Sequence, residues 1–519
     1  MCLYRAAEKC ISLLFTLFLG TTLVLILFFE KGMDHYLKKD LGTDNIILFI
    51  AGVAAVALMT AVLGFIDRHC LKSFFANAGR KKVFLTIALL TLLLFILETV
   101  YVVNAFFYSD WDPAGVLDCV YKLHRNLGNE VSLDYFSAHP NNLMLVIIYS
   151  AVLKAAALFG TDSVLSLVIF QALIFALSGM ILFFITYDLF SFRAAVYIWF
   201  FYAFWIGFNP YIIITYSDAV GVIIPLLTIR VFMCREKKGG RVLCPLLLGV
   251  LAGFGYSLKP QTLIPCIAAM LLIFLMMISK KEKGILRTGV IFAISLFFML
   301  FIVSRVLYPS LRLELNKDKG FSLSHYLMMG LNPETDGVYS NEDTEFTNSI
   351  EDPDERKREN LRVAGERLKA YGPGGLAEHL IKKQMVNFSD GSFSWGIDGN
   401  FFAGPVLGDM PEVKAEGFIR SAIHSFITPE GAYYIRWLKV MQLLWILVIT
   451  FAALSGARGI LKERGAVLSA VMLSIIGLIL FELLFEAKAR YLFTFLPLFL
   501  ISAGDGLFGF LSRKDIRQG

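Results

Sequence analysis

Three carboxylates, Asp110, Asp112 and Asp118, fall in "FFYSDWDPAGVLDCVYKL" (106–123), directly after an apolar run long enough to cross a bilayer. A carboxylate fixed at the membrane surface can serve as general base, hold a metal or orient an acceptor hydroxyl. A structural role competes for Asp112, because Asp followed by Pro at the first helical position is a good N-cap. The helix it would open, 113–127, sets Val116, Val120, Leu123 and Leu127 on one side, an amphipathic pattern suited to an interface. The two roles are compatible, since a capping carboxylate is rigidly held.

Other charges stand at similar depth. Asp218, in "FNPYIIITYSDAVGVIIPLL", has apolar residues on both sides, which is costly unless the acid lines a cavity or meets a partner. Its competing role is a helix cap after a turn at Asn209-Pro210. Lys259 ("YSLKPQTLIP") and Arg490 ("FEAKARYLFTFLPLFL") lie at outer turns, against the positive-inside trend, with Glu486 and Lys488 beside the latter. Lysine can snorkel to the interface. Two cations on the face where they are scarce favour a phosphate site. His139 and Asn141, in "YFSAHPNN", are candidates to orient a substrate hydroxyl. No metal-ligand spacing joins the His and Cys residues, so no cofactor is expected and a divalent metal is not indicated. There is no P-loop, no dinucleotide glycine pattern and no Ser/His/Asp arrangement.

The elements that must position these groups are membrane spans. Of 519 residues, 57% are hydrophobic and only 17% charged, with mean hydropathy +0.68. Apolar runs recur at about 11–29, 44–64, 83–104, 141–159, 164–186, 192–208, 212–233, 244–258, 261–279, 286–308, 436–455, 466–484 and 490–510. The fold class is an all-α polytopic membrane protein with about 12 transmembrane helices plus interfacial helices, and a mixed extracytoplasmic loop domain. The formal charge of +6 lies in short loops and is a topology signal, with no nucleic-acid partner implied. The first run ends in "LFFEKGMD" without a cleavage site, so it is an uncleaved span. The seven cysteines suggest no disulfide framework.

The basic stretches 67–82, 234–241, 280–287 and 458–464 and the tail "SRKDIRQG" place both termini in the cytoplasm of a plasma-membrane protein. The "SDWD" loop and 309–435 then face outward. Seven apolar segments separate those two loops, and an even number must cross. The segment 141–159, interrupted by Lys154, is the one expected to lie in the outer interface instead. The chain divides into N-terminal spans (1–104), a first outer loop with interfacial helices (105–160), a core of spans (161–308), a large outer loop (309–435) and C-terminal spans (436–519). Within the large loop a surface helix is expected at 354–371, ended by Gly372-Pro373. The Gly- and aromatic-rich "FSDGSFSWGIDGNFFAGPVLGD" reads as structured loop.

In chain order, "SDWDPAGVLD", "YFSAHPNNLMLVIIYSAVLKAAALFG", "YSD" (216–218), "KP" (259–260) and "EAKARYLFTFLPLFLISAGDGL" (486–507) resemble the GT-C superfamily of membrane glycosyltransferases. The likeness is to the bacterial branch related to protein O-mannosyltransferases and lipid A aminoarabinose transferases. "LMMGLNPETDGVYSNED" is similar to a segment of Gram-positive members. The resemblance implies a polyprenyl-phosphate sugar donor and inverting transfer on the outer face to an envelope polymer, glycolipid or protein. It implies a catalytic acid at Asp112 or Asp110, a second at Asp218, and donor-phosphate binding by Lys259 and Arg490. His139, Asn141 and Glu486 would position substrate. The chain departs from relatives at His139-Pro140-Asn141-Asn142, where many carry "PPL", and it lacks a "WWDYG"-type signature. A transporter or flippase of lipid-linked sugars, and a polysaccharide polymerase or ligase, are the alternative classes. A transporter would place its charges near the bilayer midplane.

Overall fold

The computed structural model describes residues 2–29, 41–69, 79–161, 163–399, 401–408 and 417–511. Most of the basic stretch 67–82 and the tail 512–519 lie outside the described residues. The chain is an all-α polytopic membrane protein. Each apolar run folds as helix because a backbone without water must satisfy its polar groups internally. The helices before the large loop are α1 (Cys2–Phe28), α2 (Asn45–His69), α3 (Arg80–Ala105), α4 (Asp112–His124), α5 (Leu143–Ala157), α6 (Val164–Leu189), α7 (Phe192–Tyr202), α8 (Ile223–Met233), α9 (Gly240–Leu258), α10 (Leu263–Ser279) and α11 (Ile285–Ile302). Then come α12 (Pro353–Phe388), α13 (Phe418–Ile427), α14 (Tyr434–Leu461), α15 (Ala466–Leu484) and α16 (Leu496–Leu511).

Eleven helices among the described residues are long and apolar enough to cross a membrane. Side-chain bonds sort their ends into two sets. At one end Asn45 donates to the Ile26 carbonyl, Gln442 to Asn45, and His424 approaches the Ala105 carbonyl. At the other, Glu8 accepts from the Arg464 and Gly465 amides, and Arg230 pairs with Asp188. Ten of the eleven, with the shorter Phe192–Gly207 and the stretch 217–233, run from one end to the other, twelve traverses in all. The remaining helix is α5. His139 and Asn142 precede it at the first end, and Gln171, early in α6, bonds to the Ile212 and Ile214 carbonyls at that same end. Helix α5 therefore starts and finishes on one side, packed against α4 and α6.

Several expectations need correction. The run 212–233 is not one continuous helix. It opens as a 3₁₀ turn, Pro210–Ile213, passes through extended residues and a short helix, Ser217–Gly221, and only then becomes α8. The Gln171 amide, 2.8 Å from each of the Ile212 and Ile214 carbonyls, satisfies the groups this break frees. The surface helix is broken at Gly372-Pro373 as expected, with Gly372 non-helical at φ 58°, but a second helix that was not expected follows directly and runs to Phe388. Asp352 caps its start, accepting from the Glu355 amide at 2.7 Å. The large loop, expected to be of mixed structure, is helical among its described residues, and extended pairing is confined to one antiparallel bridge between Tyr108 and Phe402.

One contact anchors the large loop and another sets the spans that lead into it. Trp445 donates to the Phe388 carbonyl and packs on the Trp205 and Phe393 rings, 6.1 and 5.2 Å between centroids. Helices α9 and α11 meet at Gly249 and Gly253, where a Cβ would collide with Ser295, the Phe292 carbonyl or Met299. That close approach places the end of α11 beside the end of α9.

Candidate functional site

A cavity of about 1290 Å³ opens at the end where the large loop lies. Asp110, Asp112, His139, Asn141, Lys259, Glu486 and Arg490 all line it, although they come from four separate stretches of chain. Its far wall is apolar and belongs to α11 and the π-turn after it, through Phe297, Leu300, Phe301 and Val303.

Asp112 is not an N-cap. Trp111 takes the cap position in extended conformation, Asp112 is the first helical residue, and no side chain caps the helix. The carboxylate is instead held from outside its own helix. The Tyr216 hydroxyl donates to Asp112 Oδ2 at 2.8 Å. Asn142 Nδ2 donates to the Tyr135 hydroxyl at 2.6 Å, leaving the Tyr135 proton to face Asp112. Burial and then the adjacent Asp112 charge push both tyrosines well above the usual phenol range, so both remain donors. Asp110 is exposed at the mouth. Asp118 pairs with Lys122 at 2.9 Å, one turn further along α4.

Asp218 does not line the cavity. Only 1% exposed, it lies behind the cations, paired with Lys259 and 3.6 Å from Arg490 Nε. It caps nothing, since Tyr216 precedes Ser217–Gly221 without a side-chain cap. A second acid completes the cluster. Asp398, from "SWGIDGN", accepts from Lys488 at 2.9 Å and lies 3.7 Å from Arg490. Tyr211 donates to the same carboxylate at 3.2 Å, and Trp111 to the Asp398 carbonyl at 2.7 Å. The Arg490 guanidinium sits 4.0 Å over the Trp111 ring, and Lys259 Nζ 5.1 Å from the Tyr491 centroid. Burial pulls the Lys259 ammonium down from the usual lysine range, and the Asp218 charge opposes that shift.

Burial also raises the Glu486 carboxyl, which accepts from Tyr491 at 3.0 Å. His139, between the Tyr135 and Phe321 rings, is lowered by burial and is a neutral imidazole at pH 7. Among the described residues no group of three or more His, Cys, Asp or Glu side chains is placed to hold a metal ion.

The two acidic loops are one unit. Tyr108 and Phe402 exchange backbone hydrogen bonds at 2.8 and 2.9 Å, and Ser109 donates to the Gly399 carbonyl. The residues that sequence reasoning missed are Tyr135, Tyr216, Trp111, Tyr491 and Asp398, while Lys488 was noted only as a cation beside Arg490. Only Asp398 carried a readable signal, as an acid inside a Gly- and aromatic-rich loop.

Fold and site together define a multi-pass integral membrane protein with a charged cavity at one end of its helices. The chain belongs to a family described as conserved hypothetical integral membrane proteins, which it matches over residues 3–505. No curated protein and no solved structure matches it.

Proposed function

We propose that the protein is a GT-C type glycosyltransferase that moves a sugar from a polyprenyl-phosphate donor to an acceptor hydroxyl on the outer face of the membrane, with inversion. The observation that carries this reading is the meeting of Asp112 with Lys259 and Arg490 around one cavity whose far wall is a membrane helix. An oily donor cannot leave the bilayer, so the acid that serves its scissile bond must lie at headgroup depth. The charge balance supports a phosphodiester. Lys259, Lys488 and Arg490 face Asp218 and Asp398, leaving one positive charge for one phosphodiester anion.

In this reading Asp112 takes the proton of the acceptor hydroxyl as its oxygen bonds to the anomeric carbon. The bond from that carbon to the phosphate oxygen breaks, and the lipid phosphate leaves with the electron pair. Lys259 and Arg490 offset its charge. Asp110 and His139 face the acceptor side, and Asp218 positions the cations. Asn141 and Glu486 complete the substrate contacts.

The test is incubation of purified protein with a panel of polyprenyl-phosphate monosaccharides, scored for transfer or hydrolysis. General-base catalysis is worth about 10²–10⁴-fold, so Asp112→Asn is expected to cut turnover at least ~100-fold with donor binding retained. Full activity in both Asp112→Asn and Asp110→Asn removes the assignment. A flippase reading draws on Glu98 and Glu482, carboxylates buried inside spans without hydrogen-bond partners. It predicts donor movement across vesicles with no transfer product.

A further inference from the structure

A second concavity, of about 500 Å³, lies at the opposite end of the molecule, among the far ends of α9, α10 and α11. Both α9 and α11 begin there, each after a glycine in left-handed conformation, Gly239 at φ 81° and Gly284 at φ 99°. The positive ends of two long helix dipoles therefore meet at one mouth. Arg235, Lys237, Lys238 and Arg241 ring it on the α9 side, and Lys280, Lys283 and Arg287 on the other.

Only two carboxylates line the pocket, and both are taken: Glu236 pairs with Arg235 and Glu282 with Arg241, each at 3.3 Å. Among the described residues, Lys237, Lys238, Lys280, Lys283 and Arg287 have no carboxylate within ion-pair distance. Arg235 is fixed in place. Its guanidinium lies 4.4 Å over the Phe232 ring and donates to the Phe232 carbonyl, while its buried Nε has no partner. The floor is apolar, built by Pro245, Ile273, Met276 and Met277. A topology signal needs basic residues only in loops. It does not require them to surround a concavity with an apolar floor and two helix starts.

Five uncompensated cations call for an anion carrying more than one charge. The surface beside the mouth is that of membrane spans: Leu243, Ile278, Leu286 and Val290 are exposed on the same helices, Leu286 at 82%. A polar head with apolar chains fits both features, whereas a soluble phosphate uses only the first. We propose that this pocket binds the phosphate-bearing headgroup of an anionic phospholipid in the leaflet opposite the large cavity. The site is separate from the proposed glycosyl transfer and stands or falls without it.

The test is native mass spectrometry of the delipidated full-length protein titrated with diphosphatidylglycerol, phosphatidylcholine or inorganic pyrophosphate. A Lys237→Gln/Lys283→Gln/Arg287→Gln variant is compared with Lys9→Gln/Lys81→Gln/Lys462→Gln, which removes the same charge elsewhere at that end. The expected result is one tightly held diphosphatidylglycerol on the wild type and on the control variant, with at least a tenfold loss on the pocket variant and no comparable binding of phosphatidylcholine. The wild-type thermal midpoint in diphosphatidylglycerol nanodiscs, raised over phosphatidylcholine nanodiscs, supports the site without any variant. Equal binding by both variants, equal loss in both, or pyrophosphate binding without lipid binding each overturns the proposal.

Discussion

Asp112 is a first-turn acid whose local sequence, Asp before Pro, advertises a cap, yet its partner is the Tyr216 hydroxyl from a distant stretch of chain. A cap would have used the carboxylate on its own helix; the bond to Tyr216 leaves it aimed across the cavity. Hydrogen bonds to the charged form stabilise that form. A bond to an ionised group contributes about 1.5–3 kcal/mol. Tyr216→Phe removes the donor without removing the ring that packs on Trp111. If Asp112 is the base, losing the bond that aims it lowers kcat for transfer by roughly tenfold or more, with donor binding unchanged. An unchanged kcat in Tyr216→Phe separates Asp112 from the proton transfer. Lys259 and Arg490 were legible because cations at turns expected to face outward break a statistical rule. Tyr135 and Tyr216 were not, since an aromatic that holds a carboxylate has the same one-letter signature as one that fills a membrane core.

Among the elements, the least legible was the large loop. Its charged first half suggested a surface helix broken at Gly372, and α12 has that break, but nothing announced the second helix that runs on from it to Phe388. Nothing local announces that "SWGIDGN" returns to pair with the "SDWD" loop. That pairing exists through a backbone bridge and the Trp111 indole bond to the Asp398 carbonyl at 2.7 Å, while the Trp395 indole ties the same segment to the Ile427 carbonyl at the end of α13. The break between Ile213 and Ser217, inside the run 212–233, was equally hidden, because the carbonyls it exposes are satisfied by a glutamine in another helix. The short helix Leu323–Gly330 docks through His325, whose Nδ1 lies 2.7 Å from the Thr347 hydroxyl. Burial first, and then His139, lower His325 from 6.5 to about 4. Between those two values the undocked state binds a proton that the docked state does not. Docking is therefore fully favourable above about pH 6.5 and weakens as pH falls toward 4, by up to roughly 3 kcal/mol. The protection of amides in Leu323–Gly330, with observed exchange divided by the intrinsic rate at each pH, is expected to fall steadily between pH 6.5 and 5, and His325→Gln to abolish that loss of protection. An equal loss of protection in both proteins places the titration on another group.

At the scale of the whole molecule, the arrangement rests on α5 turning back. Hydropathy marks it as a crossing helix, being apolar over Pro140–Ala157, and parity of the Lys/Arg-rich loops argues that it does not cross. The bonds from Gln171 agree with parity, because they return the start of α6 to the cavity end. The consequence can be read with a membrane-impermeant maleimide on intact cells. Phe159, 84% exposed just past α5, shares a side with Ser349 in the large loop, while Lys238 lies at the far end of α9. Phe159→Cys and Ser349→Cys are expected to label together, and Lys238→Cys only after permeabilisation. Among the described cysteines Cys119 is buried, and Cys10 and Cys234 stand at the Lys238 end. Each variant is therefore read against the wild-type chain before and after permeabilisation, and Lys238→Cys is made with Cys10→Ser and Cys234→Ser. If Phe159→Cys instead behaves like Lys238→Cys, α5 crosses. The segment His139–Asn142 would then lie across the membrane from the start of α6, and the bonds from Gln171 to the Ile212 and Ile214 carbonyls could not form. Asp112 and Lys259 would no longer share a compartment, so the same labelling pattern decides whether there is one site to study.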